Sequence, residues 1–447
     1  SLVGSEMCIR DRPPTGRRHH PLTSVPDAPS SVAPCRAGSS EEETDELSDT
    51  TGAVVIVGAG LGAIRVAENL RTNGFAGSIT MIGAEGHPPY DRPPLSKSVL
   101  LGKDDRVDLK PAEFYADNDI ELRIGHRVTA ISPADKTVTT ERLDDPARRE
   151  TIGYDTLVLA TGLAPRPFPG AADLGGVHLL RTYDDAVALR AEIDAARTAV
   201  VIGAGFIGCE VAASLSVRGL SVTLVEPAET PLAVALGTEI GALVARLHVD
   251  NGIDVRSGVG VSEIVGDTRV RAVRLTGGTE VSADIVVVGI GSTPVTDYLD
   301  GSGIESAPRE AGGGIACDAR GHASAPDVYA LGDVANWQDE DGVPRRVEHW
   351  NHTVEQAAIV AQQIVGGEAV TASVPYFWSD QFDLKIQVLG SPRAGDEVHI
   401  ADDDGKKFLA YYSRDGFLTA VIGAGKVGAV MKTRAKLQTR TPIAELI

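Results

Sequence analysis

Cysteine is scarce in this sequence: its 447 residues include only Cys8, Cys35, Cys209 and Cys317. No two of them have the CxxC or CxxxxC spacing of a redox-active dithiol, and they form no zinc-ligand pattern. The sequence therefore excludes a disulfide-stapled fold and predicts no metal site. Scattered, unpaired cysteines are typical of the reducing cytoplasm, which is the compartment that we predict.

Long apolar runs and an excess of positive charge are also lacking. No apolar run approaches the roughly 20 residues that a membrane-spanning helix needs. Asp and Glu number 62 against 42 Lys and Arg, which gives a net charge of −20. Nucleic acid and anionic membranes are therefore not expected as main partners, although much of this charge is also typical of an ordinary solubilising surface.

Residues 1–52 lack the periodic apolar pattern that the rest of the chain has. They are rich in Ser, Pro, Arg and acidic residues, and residues 41–46 read EEETDE. Such a composition cannot bury enough apolar surface to offset the entropy of ordering, so we predict a disordered tail. No continuous apolar core follows its basic residues, and the pattern is not that of a secretory signal.

Glycine, by contrast, is abundant, and two Gly-rich turns of one kind stand far apart in the chain. Each follows a short apolar run that predicts a strand and precedes a segment that predicts a helix. A second strand then leads to an acid, Glu85 after the first turn and Glu226 after the second. The glycines let the backbone approach a pyrophosphate at a helix N-terminus, and the acid accepts from ribose hydroxyls. The fingerprint positions are Gly58, Gly60 and Ala63 in the first turn, and Gly203, Gly205 and Gly208 in the second.

The two fingerprint units predict an α/β fold class with two Rossmann-like dinucleotide-binding domains. The first unit predicts a helix over Leu61–Thr72, which Gly74 is placed to end. From about Val374 strands dominate, followed by a helix near Val427–Leu437, which predicts a small α+β C-terminal domain. A third Gly-rich turn, GAGKVG at 423–428, leaves fewer than 20 residues for a second strand and acid. We interpret it as a strand-to-helix turn.

A set of motifs, in this order, resembles the FAD-dependent, NADH-using ferredoxin reductases of the putidaredoxin reductase and dioxygenase-component type. This family lies within the pyridine nucleotide-disulfide oxidoreductase superfamily, and the resemblance covers nearly all of the chain from Ala53 onward. The motifs are GAGLGA with the later Glu85, PYDRPPLSK ending at Lys97, ATG at 160–162, GAGFIGCE ending at Glu210, GIG at 289–291, LGD ending at Asp333, EHW at 348–350 and YFWSDQ at 376–381.

The resemblance implies a glutathione-reductase-like arrangement in which the FAD-binding domain is made of two separate stretches. The implied organisation is a tail at 1–52, FAD-binding parts at 53–162 and 291–370, an NAD-binding domain at 163–290 and a C-terminal reductase domain at 371–447.

The same resemblance assigns FAD to the first fingerprint, with Glu85 on the ribose. Arg92 and Lys97 are expected along the flavin side. Asp333, preceded by Gly332, is expected to open a helix and to meet the ribityl chain and pyrophosphate; a plain helix N-cap is the other interpretation. The crossing between the flavin and nicotinamide domains is assigned to Ala160, Thr161 and Gly162.

The second fingerprint is expected to bind NADH, and Gly289 and Gly291 belong to the same cofactor-binding set. A carboxylate at about 4 Å from a 2′-phosphate costs about 4 kcal/mol per unit charge at an effective dielectric of about 20. Glu226 therefore favours NADH over NADPH, unless its side chain turns to solvent.

Five residues form the candidate catalytic set. In the resembling proteins Glu210 pairs with Lys97 beside the nicotinamide; the alternative is a helix-dipole acid with no catalytic part. Glu348 resembles a second acid near the nicotinamide carboxamide. Trp350 and Trp378 resemble aromatic residues packed around the flavin, on the side where electrons leave, and plain core packing is their alternative.

The expected reaction is hydride transfer from NADH to FAD, followed by two single-electron steps to a two-iron ferredoxin that serves an oxygenase. The alternatives are a rubredoxin reductase, the flavin component of a nitrite reductase, or a non-turnover binding protein resembling apoptosis-inducing factor. A weak homodimer is also an expectation. Because acidic ferredoxins need a basic face, the docking candidates are Arg345, Arg346, Lys426, Lys432, Arg434, Lys436 and Arg440.

Overall fold

The structure is a computed structural model of the chain and describes residues 51–171, 173–339, 342–367 and 374–447. The tail predicted at 1–52, with Cys8 and Cys35, lies outside these residues except for its last two positions. The α-helices are α1 (Leu61–Thr72), α2 (Glu113–Asp117), α3 (Tyr183–Ile193), α4 (Phe206–Val217), α5 (Ala233–Leu236), α6 (Thr238–Asp250), α7 (Trp350–Val365), α8 (Val427–Lys432) and α9 (Arg434–Gln438).

A five-stranded parallel sheet surrounds the first fingerprint. Its strands are β1 (Val54–Val57), β2 (Ile79–Gly83), β3 (Ile120–Ile124), β7 (Thr156–Leu159) and β19 (Val328–Ala330), in the order β19-β7-β1-β2-β3. Val54 lies opposite both Ile79 and Thr156, which sets the register of β1 against its two neighbours. All of β1 is buried, as expected of a strand covered on both faces. β19 comes from beyond the second fingerprint, so two distant segments complete this sheet.

A second five-stranded parallel sheet surrounds the second fingerprint. Its strands are β9 (Val177–His178), β10 (Thr198–Ile202), β11 (Ser221–Glu226), β12 (Asp254–Ser257) and β16 (Ile285–Val288), in the order β12-β11-β10-β16-β9. The first helix of each unit leaves the sheet directly after its glycine turn, at Leu61 in α1 and at Phe206 in α4. The predicted fold class, with two Rossmann-like units, is confirmed.

Smaller sheets accompany the two parallel ones. Each large sheet has a three-stranded antiparallel companion, and an antiparallel strand pair lies where the chain passes between the units. One three-stranded sheet consists of β4 (His126–Ser132), β5 (Thr137–Arg142) and β6 (Arg149–Gly153), and the other of β13 (Val261–Gly266), β14 (Val270–Leu275) and β15 (Glu280–Ser282). The antiparallel pair is β8 (Leu163–Pro165) with β17 (Ser292–Pro294). A further small sheet contains β18 (Ile315–Cys317), β20 (Ala335–Gln338) and β21 (Pro344–Arg345).

The C-terminal part is one antiparallel sheet with two short helices after it. Its strands are β22 (Tyr376–Gln381), β23 (Leu384–Gly390), β24 (Glu397–Asp403), β25 (Phe408–Arg414) and β26 (Phe417–Ala424), in the order β22-β23-β26-β25-β24. Val211 of α4 and Ile386 of β23 belong to the same buried apolar cluster, and α4 lies against β22. The C-terminal sheet thus shares its core with the second unit, which brings β22 against the helix that follows the second fingerprint.

Two local expectations were wrong. Asp333 does not open an α-helix, because Gly332–Val334 is one 3-10 turn that runs straight into β20. β20 pairs with β18 and buries Trp337, and this pairing draws the segment into a strand. The helix expected near Val427–Leu437 is broken at Thr433, where an i to i−3 hydrogen bond to Val430 interrupts the α-helical ladder.

The third Gly-rich turn is a strand-to-helix turn, as predicted. Gly423 lies in β26, whose neighbours β23 and β25 both run antiparallel to it, and the described residues after it form the short helices α8 and α9 and no further strand. Among the described residues, no helix combines the length and apolar character that crossing a membrane requires.

Candidate active site

Both fingerprints bring a glycine against the end of a neighbouring strand. Gly58 has a φ of +118°, and a Cβ there would lie 2.3 Å from the carbonyl oxygen of Ala160. Gly203 has a φ of +95°, and a Cβ there would lie 2.3 Å from the carbonyl oxygen of Gly289. Only glycine fits either position, so the two turns are built alike, and they approach Ala160 of the predicted crossing segment and Gly289 of the predicted cofactor-binding set.

The N-termini of α1 and α4 are open in the way that a pyrophosphate requires. Within the described part of the chain, neither helix has a side-chain N-cap or an acid in its first turn. A Cβ built on Gly60 or Gly205 would meet no described atom within 4 Å. Unpartnered N–H groups and the helix dipole there favour an anion that comes close to the backbone. The residues present therefore fit one dinucleotide at each helix.

The third fingerprint positions are tightly packed, in contrast to the open second ones. Ala63 is fully buried in α1, and a Cβ on Gly208 would lie 2.0 Å from the carbonyl oxygen of Gly203. Small residues here let each helix pack closely on its glycine turn.

Glu226 is held against the second fingerprint rather than extended into solvent. Its Oε2 accepts a hydrogen bond from the backbone N–H of Ala204 at 2.7 Å, and its Oε1 accepts from that of Ala228 at 2.9 Å. Each oxygen keeps a lone pair, so the carboxylate can also accept from a ribose hydroxyl.

Glu85, the acid of the first fingerprint, is met by two donors. Arg92 Nη2 lies 2.6 Å from its Oε1, and the Tyr90 hydroxyl donates to its Oε2. Burial chiefly raises the pKa of Tyr90, so this hydroxyl stays protonated and donates. The sequence placed Arg92 with Lys97 on the flavin side, whereas the two residues flank the 3-10 turn Pro93–Ser96 and reach different carboxylates.

A half-buried arginine, Arg181, lies beside Asp333 and was not identified from the sequence. Its Nη2 lies 3.3 Å from Asp333 Oδ2, while its Nε has no hydrogen-bond partner among the described residues. Burial, and then the nearby Arg92, lower the pKa of this guanidinium. An orphaned buried donor of this kind needs an acceptor, and an anionic cofactor group next to Asp333 fits that need. Arg181 lies in no recognisable sequence motif, so the sequence alone does not identify it as a cofactor-binding residue.

Gly332 and the ATG segment shape the backbone around these groups. Gly332 has a φ of +73°, and its N–H donates to Gln356 Oε1 at 2.8 Å. Thr161 donates to the carbonyl of Val295 at 2.8 Å, next to the strand pair that carries the chain between the units. Gly162, with a φ of +70°, would place a Cβ 3.0 Å from Arg181 Nη2.

Lys97 and Glu210 form an ion pair between the two units. Lys97 Nζ lies 2.6 Å from Glu210 Oε2, and their side chains are 18% and 4% exposed. Lys97 follows the 3-10 turn of the first unit, and Glu210 lies in the helix that the second fingerprint opens. Glu210 is thus an ion-paired residue and not only a helix-dipole acid. Removing one partner of such a buried pair typically costs about 3–5 kcal/mol.

Two tryptophans stand edge to face near the start of α7. The ring centroids of Trp350 and Trp378 are 6.2 Å apart at 62°, and Trp350 Nε1 donates to Asp91 Oδ1 at 2.9 Å. Both rings are only half-buried. Arg65 lies 5.9 Å from the centroid of Trp350, and Lys385 lies 5.8 Å from that of Trp378. Each of these cations also has an acid partner, since Arg65 pairs with Glu68 at 2.7 Å and Lys385 pairs with Asp380 at 3.6 Å.

Glu348 is not brought to the Lys97–Glu210 pair. Its Oε1 accepts from Arg346 Nη1 at 2.6 Å, and its side chain is 43% exposed. Gly291, with a φ of +97°, lies beyond the second sheet, where its carbonyl accepts from the Arg166 N–H at 3.0 Å. Neither residue has a described contact that fixes a role.

The two described cysteines are buried thiols. Cys209 lies in α4 and Cys317 in β18, and neither forms a disulfide. Burial raises the pKa of Cys209, and raises that of Cys317 to about 12. Thiols of this kind hold little thiolate at neutral pH, so they are poor nucleophiles and poor redox groups. Among the described residues, no group of three or more His, Cys, Asp or Glu side chains is arranged to hold a metal ion.

Stability is expected to fall as the pH drops below about 6.5, because His349, which is half-buried with a buried Nδ1, is neutral in the folded chain. Burial and the neighbouring His352 lower the pKa of His349 to about 4. Between about pH 6.5 and 4 the unfolded chain binds more protons at this position, so the unfolding free energy decreases there by up to about 3 kcal/mol. Above about pH 6.5 this position no longer lowers the unfolding free energy. Urea midpoints at pH 7.5 and 4.5 measure the fall, and His349→Gln should reduce it; a midpoint that does not change with pH in the parent chain would contradict the assignment.

The sequence model of the pyridine nucleotide-disulphide oxidoreductases matches residues 52–357, and that of the reductase C-terminal domain matches residues 376–446. A ferredoxin–NAD(P)(+) reductase from a Sphingomonas species is 38% identical and covers 84% of this chain and 90% of its own. The ferredoxin–NAD(+) reductase component of the p-cumate 2,3-dioxygenase system of Pseudomonas putida is 36% identical and covers 80% and 86%.

Solved structures agree with these relatives. The covalent complex of putidaredoxin reductase with putidaredoxin matches with a TM-score of 0.81 at 30% identity, over 88% of this chain and 94% of that chain. A ferredoxin reductase from Rhodopseudomonas palustris matches with a TM-score of 0.81 at 33% identity, over 87% and 95%.

Proposed function

Since this chain belongs to the pyridine nucleotide-disulphide oxidoreductase family, we propose that it passes electrons from NADH through FAD to a two-iron ferredoxin that serves an oxygenase. The chain is an oxidoreductase of the ferredoxin reductase kind, and its cofactors are FAD and NAD(H). The iron–sulfur type of the acceptor and the oxygenase behind it are the parts that we propose.

The observation that carries the proposal is the Lys97–Glu210 ion pair, in which each of the two dinucleotide-binding units supplies one partner. Bound FAD supplies the chemistry, because it accepts a hydride from NADH and returns the two electrons one at a time. With the flavin bound, the Lys97 ammonium would stabilise the negative charge of the reduced ring, and Glu210 holds that ammonium in place. No cysteine pair has the spacing of a redox dithiol, so the electrons need no thiol on their way out.

We assign FAD to the stretches 53–162 and 291–370 and NADH to 163–290. The pairing of β19 with β7 supports the two-part FAD domain, since residues 328–330 complete the sheet that carries the first fingerprint. The orphaned Arg181 Nε supports an anionic group such as the pyrophosphate on this side, and the Asp333 carboxylate supports a hydroxyl donor such as the ribityl chain beside it.

We further propose that electrons leave past Trp350 and Trp378. The accessible surface of these two half-buried rings supports this route. The cations beside the rings add little net charge, because Arg65 pairs with Glu68 at 2.7 Å and Lys385 with Asp380 at 3.6 Å. Three of the basic residues suggested by the sequence already pair with acids: Arg345 with Asp339, Arg346 with Glu348, and Lys426 with Asp402. They offer correspondingly less charge to a partner.

A panel of acceptors tests the proposal. The FAD-loaded chain is mixed with NADH under anaerobic conditions, and two-iron ferredoxins, rubredoxins and no acceptor are compared by cytochrome c reduction. We expect sustained turnover with a two-iron ferredoxin at least tenfold faster than with rubredoxin. Faster turnover with rubredoxin would overturn the choice of acceptor. A long-lived charge-transfer band with little turnover under every condition would instead indicate the non-turnover binding protein.

A further inference from the structure

A series of buried side chains leads from α6 through β22 to the Glu210 carboxylate. His248 Nε2 lies 2.9 Å from Gln381 Oε1, Gln381 Nε2 lies 3.1 Å from Ser379 Oγ, and Ser379 Oγ lies 2.7 Å from Glu210 Oε1. His248, Ser379 and Gln381 are fully buried, and Glu210 is 3% exposed. The series therefore crosses from the second unit through the C-terminal sheet and back, without reaching solvent.

The direction of these hydrogen bonds follows from the carboxylate at their end. An ionised carboxylate only accepts, so Ser379 donates its single proton to Glu210. The Ser379 oxygen then accepts from the Gln381 amide nitrogen, and the Gln381 oxygen accepts from His248 Nε2–H. Burial lowers the pKa of His248, so the ring is neutral with its proton on Nε2, and its Nδ1 has no partner among the described residues. All three donors therefore point toward Glu210.

The other carboxylate oxygen faces the first unit. Glu210 Oε2 accepts from Lys97 Nζ at 2.6 Å and from Ser96 Oγ at 2.6 Å. Because Ser379 hydrogen-bonds to Oε1, the Glu210 carboxylate is held in the orientation in which Oε2 faces Lys97. Lys97 is otherwise held by neutral oxygens, with the carbonyl of Pro93 at 3.0 Å and Ser96 Oγ at 3.3 Å. The C-terminal sheet thus sets the orientation of an ion pair that belongs to the two nucleotide-binding units.

We propose that Ser379, oriented by Gln381 and His248, is a positioning residue that fixes the Glu210 carboxylate and through it the Lys97 ammonium. Ser379 touches neither dinucleotide fingerprint, and it acts only through Glu210 and Lys97. The inference rests on the proposed function in one respect, since its effect is measured on the bound flavin.

Ser379→Ala removes the hydroxyl and leaves the fold of β22 intact. We expect the rate of flavin reduction by NADH, followed by anaerobic stopped-flow absorbance, to fall about tenfold, while the KM for NADH stays within about twofold. The midpoint potential of the flavin should fall by about 30 mV, which is a tenfold change for a two-electron couple. Gln381→Leu, one step further away, should move both quantities in the same direction by about threefold and 15 mV.

The matched control is Ser413→Ala. Ser413 is also a fully buried serine of the same sheet, but its hydroxyl lies near His399 and Glu397. Unchanged rate and potential in Ser379→Ala, or an equal loss in Ser413→Ala, would overturn the positioning role. The rate of flavin reduction and the flavin midpoint potential are both measured without an electron acceptor protein. If NADH reduces the flavin of the parent chain but no ferredoxin accepts its electrons, the proposed function is wrong. The comparison of Ser379→Ala with Ser413→Ala still tests the positioning role in that case.

Discussion

Replacing Glu226 by Gln is expected to lower the preference for NADH over NADPH by about a hundredfold. A full charge at about 4 Å from the 2′-phosphate costs about 4 kcal/mol at an effective dielectric of about 20. Salt and the partial exposure of the half-buried side chain reduce this cost. Two backbone N–H groups hold the Glu226 carboxylate, at 2.7 and 2.9 Å, so it cannot easily swing away from the phosphate. The ratio of kcat/KM for the two coenzymes measures the change.

A matched control is Glu229→Gln, because Glu229 is an exposed acid on the same loop. It removes the same charge from the surface but not from the fingerprint, and we expect the coenzyme ratio to stay within about twofold of the parent. If both variants shift the ratio alike, the general negative potential sets the coenzyme choice, and the assigned role of Glu226 is wrong.

Replacing Lys97 by Met is expected to slow reduction of the bound flavin by NADH about a hundredfold while FAD stays bound. A hundredfold loss corresponds to about 2.7 kcal/mol, which is within the range for one charged, partly buried contact. Lys97 is 18% exposed, so solvent replaces the lost ammonium only in part. Single-turnover stopped-flow under anaerobic conditions gives the rate, and the visible spectrum gives the FAD content.

The Lys97 variant leaves Glu210 buried without its partner, so the double variant Lys97→Met, Glu210→Gln separates lost catalysis from a damaged fold. It should be as slow as the single variant but more resistant to urea. Lys103→Met, an exposed lysine six positions further along, is the surface control and should keep the parent rate. A parent-like rate in Lys97→Met with FAD retained would remove Lys97 from the chemistry.

The sequence predicts the parts of this molecule that depend on local backbone requirements. Gly58 and Gly203 stand where a Cβ would clash with a neighbouring carbonyl, so each leaves a glycine signature. Helix α1 begins and ends where the Gly60 turn and Gly74 place its limits. The resemblance also placed Glu210 beside Lys97, and the two lie 2.6 Å apart although 113 residues separate them.

Contacts between distant segments were not predictable. Ser379 and Gln381 alternate along β22 with half-buried Trp378 and Asp380, which indicates one buried polar face but not what that face meets. Arg181 had no motif around it, and Arg92 could have paired with any nearby acid. Asp333 follows a strand as expected, yet pairing of β20 with β18 prevents the helix. In each case the partner comes from a different element, and one sequence does not reveal it.

If one flavin bound between the two dinucleotide-binding units carries the electrons, and the two described thiols, which are both buried, take no part, the ratio of ferredoxin reduced to NADH consumed is fixed. The purified chain is loaded with FAD, treated with a thiol alkylator, and mixed anaerobically with limiting NADH and excess oxidised two-iron ferredoxin. Two ferredoxins reduced for each NADH, at a rate that alkylation does not change, is the expected result. A protein that binds no FAD, or whose electron transfer stops when its thiols are blocked, would contradict a route that runs from NADH through the flavin straight to a one-electron carrier.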